Sequence, residues 1–223
     1  MAQMIELKAQ DGHRLAAYQV DPPGKPRGGV VVIQEIFGVN NHIKAVSDGY
    51  AGDGYLVIAP AMFDRAQRGY DTGYSQPEIE AGRAVMQKLD WAKAMLDVDA
   101  AVAAAKAAGK VGIVGYCWGG TVAWVAAARA AGLACAAPHY GGGMPGFIGE
   151  KPKCPVMCHF GELDQSPTLE QSKAIAAAHP EITAHFYAGA GHGFNCDHRP
   201  SYNADASRLA RERTLAFFRQ HLG

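Results

Sequence analysis

A cysteine within a glycine-rich hexapeptide is the side chain in this sequence best placed to act as a nucleophile. The hexapeptide, residues 115–120 (GYCWGG), directly follows the apolar run Lys110–Gly115 and opens an alanine-rich segment that is typical of a helix. Strand, sharp turn and helix in this order form a nucleophile elbow, with Cys117 where serine is more usual. The turn is too sharp for bulky neighbours, and the positive end of the helix favours the thiolate. A small core cysteine at a glycine-rich turn is the alternative.

A nucleophile of this kind needs a base, and the base needs an acid to orient it. Asp164 lies just past a predicted strand, and His192 lies in a glycine-rich loop between the last predicted strand and the last helix. The order nucleophile, acid, histidine is that of α/β-hydrolases. Taken singly, Asp164 could cap the next helix and His192 could be a surface residue. Together they favour an active site, which in such sheets gathers at the C-terminal strand ends.

The loop after the first long apolar run, residues 34–39 (QEIFGV), is the predicted source of an oxyanion hole. In this fold one amide comes from that loop and the other from the residue after the nucleophile, which indicates the backbone N–H groups of Ile36 and Trp118. Glu35 lies in the same loop at the mouth of a buried strand, where an unpaired carboxylate costs roughly several kcal/mol. The Cys117 thiol is a candidate proton donor for Glu35, and a solvated loop glutamate is the alternative.

The whole set of motifs resembles the dienelactone hydrolase family. The segments that carry the resemblance are residues 34–39, residues 115–120, Asp164 and residues 190–194 (AGHGF), and the similarity extends over essentially the whole chain. It implies Cys117 as nucleophile, His192 as base and Asp164 as the acid that orients the base. It also implies that Glu35 holds and then accepts the thiol proton. The implied reaction opens an enol-lactone or a comparable activated ester through an acyl-thioester, without a metal or organic cofactor.

The substrate-binding residues depart from the family pattern. Relatives hold the substrate carboxylate with two arginines, one just after the catalytic histidine and one after the second long strand. In this sequence no arginine follows His192 directly. The candidates for holding the carboxylate are Arg199, a little further along the chain, and Arg83, which could instead be a solvated residue on the surface of a helix. Tyr140 and Trp118 are further pocket candidates because they lie near strand ends. A broad carboxylesterase or thioesterase acting on an uncharged ester is therefore the alternative function.

Other chemistries fit the sequence less well. The segments Cys154–His159 and Cys196–His198 contain metal-ligand side chains. However, Cys158 and His159 are adjacent in a predicted strand and point to opposite faces, and structural zinc normally uses paired knuckles, so no metal is expected. The glycines at 189 and 191 lack the third glycine of a dinucleotide motif. A non-catalytic binding protein would not need all four catalytic candidates.

The elements that must position these residues alternate along the chain. Continuous apolar runs predict strands buried on both faces of a parallel sheet, at Gly29–Gln34, Tyr55–Pro60, Lys110–Gly115, Pro155–Phe160 and Ile182–Tyr187. Helices are predicted at 91–105, 121–131 and about 203–221, and residues 5–20 predict a hairpin. The sequence therefore predicts an α/β-hydrolase fold with a mostly parallel central sheet, helices on both faces and an N-terminal hairpin, in a single domain spanning residues 1–223.

Composition excludes several other classes of protein. The 21 basic and 21 acidic side chains balance, without the basic cluster that nucleic-acid binding needs. No apolar run is long enough to cross a membrane and the N-terminus has no signal-peptide pattern, so a cytoplasmic protein is expected. The five cysteines are odd in number and irregularly spaced, which favours free thiols. The expected partner is a small-molecule ester or lactone substrate, with a monomer as the default.

Overall fold

The valine-rich runs form the centre of one eight-stranded sheet in the structure, a computed structural model that describes all 223 residues. The strands are β1 (Ala2–Lys8), β2 (Arg14–Val20), β3 (Gly29–Ile33), β4 (Leu56–Pro60), β5 (Val111–Tyr116), β6 (Leu133–His139), β7 (Met157–Gly161) and β8 (Thr183–Tyr187). Their spatial order is β1-β2-β4-β3-β5-β6-β7-β8. β2 pairs antiparallel with β1 and β4, and every other pair is parallel. The predicted mostly parallel sheet with an N-terminal hairpin is confirmed.

Helices cover both faces of this sheet. They are α1 (Asn41–Gly52), α2 (Gln76–Met86), α3 (Trp91–Ala105), α4 (Trp118–Arg129), α5 (Leu169–Ala178) and α6 (Ala204–His221). Successive strand residues point to opposite faces, so Val31 of β3 packs on the side of α2 to α5, whereas Val30 packs on the side of α1 and α6. Two-sided burial is the physical reason for the continuous rather than alternating apolar pattern. None of the helices is both long enough and apolar enough to cross a bilayer.

Strand β6 and helix α1 were not among the elements predicted from the sequence. β6 reads LACAAPH, and its alanines have little intrinsic preference for strands. It is a strand because it lies between β5 and β7, where residues from Cys135 to His139 are fully buried. Tertiary packing decides the conformation of this segment.

The topology brings four loops to one edge of the sheet. Because β3, β5, β7 and β8 run parallel, the loops that follow their C-terminal ends meet at that edge. Glu35 follows β3, Cys117 follows β5, Asp164 follows β7 and His192 follows β8. The four catalytic candidates therefore converge, although 157 residue positions separate the first of them from the last.

Candidate active site

Cys117 occupies a strained turn between β5 and α4. Its backbone angles are φ 57° and ψ −120°, a left-handed conformation that costs a residue other than glycine about 1–3 kcal/mol. Glycine at position 119 lets this turn approach β3, since a β-carbon there would collide with the carbonyl oxygens of Ile33 and Gln34. The elbow thus holds the sulfur above the sheet and brings it close to the loop that follows β3.

His192 and Asp164 complete a hydrogen-bonded chain that starts at the sulfur. The distance from Cys117 Sγ to His192 Nε2 is 3.0 Å, and the distance from His192 Nδ1 to Asp164 Oδ2 is 2.9 Å. The other carboxylate oxygen of Asp164 accepts the backbone N–H of Ser166 at 2.7 Å. Asp164 is buried, whereas His192 stays a quarter exposed. The His192 imidazole is therefore oriented by the buried Asp164 carboxylate and stays partly accessible from the cavity.

Asp164 does not cap the next helix, which was the alternative interpretation of this residue. Helix α5 is capped by Thr168, whose Oγ1 accepts the backbone N–H of Gln171 at 3.2 Å. The Gln171 side chain reciprocally accepts the Thr168 N–H at 2.9 Å. Because this capping box is complete without Asp164, one Asp164 oxygen accepts the Ser166 N–H and the other bonds to His192.

The charges around His192 favour its protonated form. Burial disfavours a charged imidazole, but the negative charge of Cys117 and the hydrogen bond to Asp164 outweigh burial and raise the pKa of His192 to about 10. This pKa includes a negative charge on the sulfur, so once Cys117 is a thiolate the imidazole carries two protons at neutral pH and donates one of them towards the sulfur. An imidazolium placed in this way stabilises the thiolate.

Two backbone amides point to an oxyanion site beside the sulfur. Ile36 and Trp118 both line the cavity that contains Cys117, and Trp118 is the first residue of α4. Neither amide is a donor in the backbone hydrogen bonds outside the helices and strands. The first amides of a helix have no partner inside the helix, which leaves the Trp118 N–H available to a developing negative charge, and the unpaired Ile36 N–H of the loop after β3 is the second candidate donor.

Glu35 has a different partner from the one that the sequence suggested. Its side chain is 1% exposed, so it is not the solvated loop residue of the alternative interpretation. Its Oε1 lies 3.3 Å from Nη1 of Arg199, its Oε2 has no hydrogen-bond partner, and the predicted Cys117 thiol bonds to His192 instead. Burial disfavours the charged form of Arg199, but the negative charge of Glu35 and smaller contributions from neighbouring groups together outweigh burial and raise the pKa of Arg199.

A cavity of about 650 Å³ opens over these groups. Arg83 of α2 and Arg199, the two candidates for holding a substrate carboxylate, both line it. The cavity also has an apolar lining that sequence reasoning did not assign to the site, formed by Phe37, Ile79, Met86, Leu89 and Trp91. The sequence pattern identifies Trp91 only as part of the apolar stripe of α3. Apolar residues that line a cavity have the same periodicity as apolar residues that pack in the core.

Tyr140 does not contact the cavity, which corrects its prediction as a substrate-binding residue. Its side chain is fully buried and its ring stands edge-on to that of His192, with ring centroids 5.3 Å apart. It also has a positive φ of 37° directly after β6. Position near a strand end identified the right region, but the side chain packs behind the histidine and supports it there.

Comparison with known proteins agrees with this geometry. Solved structures of esterases and hydrolases share the architecture, and the chain has the α/β-hydrolase fold. The family model for the dienelactone hydrolase family matches residues 15–222. A carboxymethylenebutenolidase of Pseudomonas putida is 30% identical over 223 residues, covering 96% of this chain and 94% of the relative. The chain therefore belongs to the dienelactone hydrolase family and is a hydrolase of esters or lactones.

Two solved structures illustrate the range of this fold. A Klebsiella pneumoniae protein provisionally described as a dienelactone hydrolase superposes with a TM-score of 0.84, at 26% identity and 99% coverage of both chains. A dienelactone hydrolase-like promiscuous phosphotriesterase from metagenomic libraries superposes with a TM-score of 0.80, at 22% identity, covering 100% of this chain and 99% of its own. The second similarity concerns the fold alone.

Proposed function

We propose that this protein opens an enol-lactone, or a comparable activated ester, with Cys117 as nucleophile and an acyl-thioester as intermediate. The observation that carries the proposal is the continuous chain from sulfur to imidazole to buried carboxylate, with contacts of 3.0 Å and 2.9 Å. A cysteine nucleophile with an oriented imidazole beside it is an established arrangement for acyl transfer.

The residues divide the steps of this reaction between them. The Cys117 thiolate attacks the substrate carbonyl, forming a C–S bond, while the amides of Ile36 and Trp118 hold the resulting oxyanion. Each such donor is worth roughly 3–4 kcal/mol in related sites. The oxyanion collapses, the ring C–O bond breaks, and His192 gives its proton to the departing oxygen. His192 is then neutral and takes a proton from the water that cleaves the thioester.

Glu35 is proposed to control the proton of the thiol. Its free oxygen Oε2 is buried beside the site, and its only ion-pair partner is Arg199. A substrate carboxylate that binds Arg199 would compete with Glu35 for the guanidinium. Glu35 would then be released to accept the thiol proton when substrate arrives, so that the resting enzyme is not indiscriminately reactive. His192 would take its second proton from solvent once the thiolate has formed beside it.

The two arginines support a substrate that carries a carboxylate. Arg83 and Arg199 line the same cavity as Cys117, and arginine is the side chain best suited to holding a carboxylate. An uncharged ester remains the second candidate, on two observations. Arg199 is already paired with Glu35, and much of the cavity lining is apolar. We further propose a cytoplasmic location, which the five free cysteines support.

Hydrolysis of dienelactone and of a neutral aryl ester, measured in parallel, tests the proposed function. Cys117→Ala should lower kcat/KM for both substrates by at least about 10³-fold, because the covalent route is lost. Cys154→Ala, which changes a half-buried cysteine outside the cavity, is the matched control and should keep wild-type rates. Full activity in the Cys117 variant would overturn the nucleophile assignment. A preference for dienelactone supports the carboxylate-bearing substrate, and a preference for the aryl ester supports the second candidate.

A further inference from the structure

A buried group of three metal-ligand side chains lies outside the hydrogen-bonded chain of Cys117. A carboxylate oxygen of Glu35, a ring nitrogen of His42 and the sulfur of Cys196 all lie within 4.8 Å of one another. The three residues come from the loop after β3, the first turn of α1 and the loop between β8 and α6. Residue exposures of 1%, 4% and 0% show that no solvent-facing cluster is involved.

Two polar atoms in this group have no partner within the protein. Glu35 Oε2 and His42 Nε2 are both buried without a hydrogen bond. Leaving a buried donor or acceptor unpaired costs about 1–3 kcal/mol, so two such atoms beside one sulfur call for an explanation. A ligand that accepts electron pairs from oxygen, nitrogen and sulfur at once would satisfy all three.

A second carboxylate orients the histidine for this task. His42 Nδ1 lies 3.3 Å from Oδ1 of Asp197, which leaves Nε2 as the ring nitrogen without a partner. Histidines that bind metals usually pair their other nitrogen with a carboxylate, which fixes the ring and raises its basicity. Asp197 itself is exposed, so the residue that orients the buried His42 ring lies at the protein surface.

We propose that Glu35, His42 and Cys196 form a site for a divalent zinc-class metal ion beside the catalytic centre. One carboxylate, one neutral imidazole and one thiolate match the oxygen, nitrogen and sulfur ligands that zinc accepts. The two negative charges balance the charge of the ion. Ligand atoms around tetrahedral zinc are roughly 3.3–3.8 Å apart, so a group whose ligand atoms lie within 4.8 Å of one another needs to contract by at most roughly 1–1.5 Å.

A second cavity lies beside His42, separate from the cavity that contains Cys117. It has a volume of about 310 Å³ and is lined by His42, Tyr74 and His198 among other polar residues. Because His42 also belongs to the buried group, this cavity borders the group on its His42 side. The proposed entry of the ion is therefore at this second cavity, away from Cys117.

Binding at this site must displace a proton and compete with Arg199. The Cys196 thiol must lose its proton to bind the metal as a thiolate, so affinity should rise with pH. Arg199 is paired with Glu35 and repels a cation there. Arg199→Gln should therefore bind metal more tightly, an effect that a merely destabilised variant would not show.

Titration of Zn²⁺ against a chromophoric chelator, in the Cys117→Ala protein, tests the proposal. This background removes the other cysteine–histidine pair. We expect one zinc per chain, and with Co²⁺ a near-ultraviolet thiolate-to-metal band that is lost in Cys196→Ser. Asp197→Asn should weaken zinc binding by about 10-fold or more, because the Asp197 carboxylate orients the His42 ring and this contact is weakened in the variant. Thermal melts identify any variant that fails to fold, and the Arg199→Gln result keeps the test decisive in that case.

His198→Ala is the matched control against a surface site. His42, Asp197 and His198 also form a group within 4.8 Å, but it is mostly exposed. If the buried group binds the metal, affinity changes by less than about twofold in His198→Ala and falls sharply in Glu35→Gln. The reverse pattern, or no zinc bound in the Cys117→Ala protein, would overturn the proposal.

Zinc should also inhibit the wild-type enzyme, in step with occupancy and reversibly with chelator. This consequence rests on the proposed function, because it assumes that Glu35 takes part in catalysis. The binding measurement does not, since the protein used for it lacks the proposed nucleophile. Failure of one proposal can thus be told from failure of the other.

Discussion

Replacing Asp164 by asparagine isolates what the buried carboxylate contributes to the thiolate–imidazolium pair. The amide oxygen can still accept the Ser166 N–H, which now bonds to Oδ1 at 2.7 Å, so the loop should keep its conformation. The amide nitrogen then faces His192 Nδ1, where two donors meet. The imidazole can relieve this conflict only by giving up a proton, so the pKa of His192 must fall from about 10.

The size of this effect follows from the contact that is lost. A hydrogen bond between charged partners contributes about 1.5–3 kcal/mol, which equals about 1–2 pKa units or a 10- to 150-fold change in an equilibrium. We expect kcat/KM at neutral pH to fall by about that factor. The basic limb of the pH profile should move down from near pH 10 by about 1–2 units, because the imidazolium now loses its proton earlier.

Initial rates with a neutral aryl ester, measured across the pH range, give both quantities in one assay. Glu162→Gln removes an exposed carboxylate two residues away and should leave the profile of the wild type unchanged. A basic limb that stays near pH 10 in Asp164→Asn, together with a rate loss below about twofold, would refute the reasoning.

Three further outcomes are expected. Gly119→Ala should lower the free energy of unfolding in urea by about 3 kcal/mol or more and abolish turnover, because the added β-carbon collides with backbone at the end of β3. Gly24→Ala is the control, since nothing lies within 4 Å of the added β-carbon, and it should change neither stability nor turnover. Arg199→Gln should raise KM for dienelactone by about 10-fold or more while changing KM for a neutral ester much less, and equal changes would argue against a carboxylate contact. Burial lowers the pKa of His139 to about 4 and also lowers that of His159, so both are neutral in the fold but protonate when unfolded below pH 6.5. The free energy of unfolding should therefore hold above pH 6.5 and fall by about 1.4 kcal/mol per pH unit for each histidine as pH drops towards 4; a flat profile between pH 7 and pH 5 would contradict this.

The sequence was sufficient to predict the hydrogen-bonded chain of Cys117, His192 and Asp164 because each member lies in a distinctive local context. Cys117 is flanked by glycines after an apolar run, and His192 lies in a second glycine-rich segment. Chain order and the convergence of parallel strand ends supply the remaining information, so the contacts among Cys117, His192 and Asp164 could be anticipated.

The partner of Glu35 could not be predicted in the same way. Arg199 is 164 residues away in sequence and lies in a loop without regular structure. Only the packing of that loop against the end of β3 brings the two charges together. The burial of Tyr140 has the same origin, since proximity to a strand end does not reveal which way a side chain turns. Long-range packing also decides β6, whose alanines carry no strand signal.

Rapid-quench mass spectrometry of the enzyme during turnover of an activated aryl ester tests the central claim most directly. The account predicts an acyl adduct on the peptide that contains Cys117, formed before product release and absent from Cys117→Ala. An adduct on another side chain, or complete turnover of the ester with none on Cys117, would contradict it.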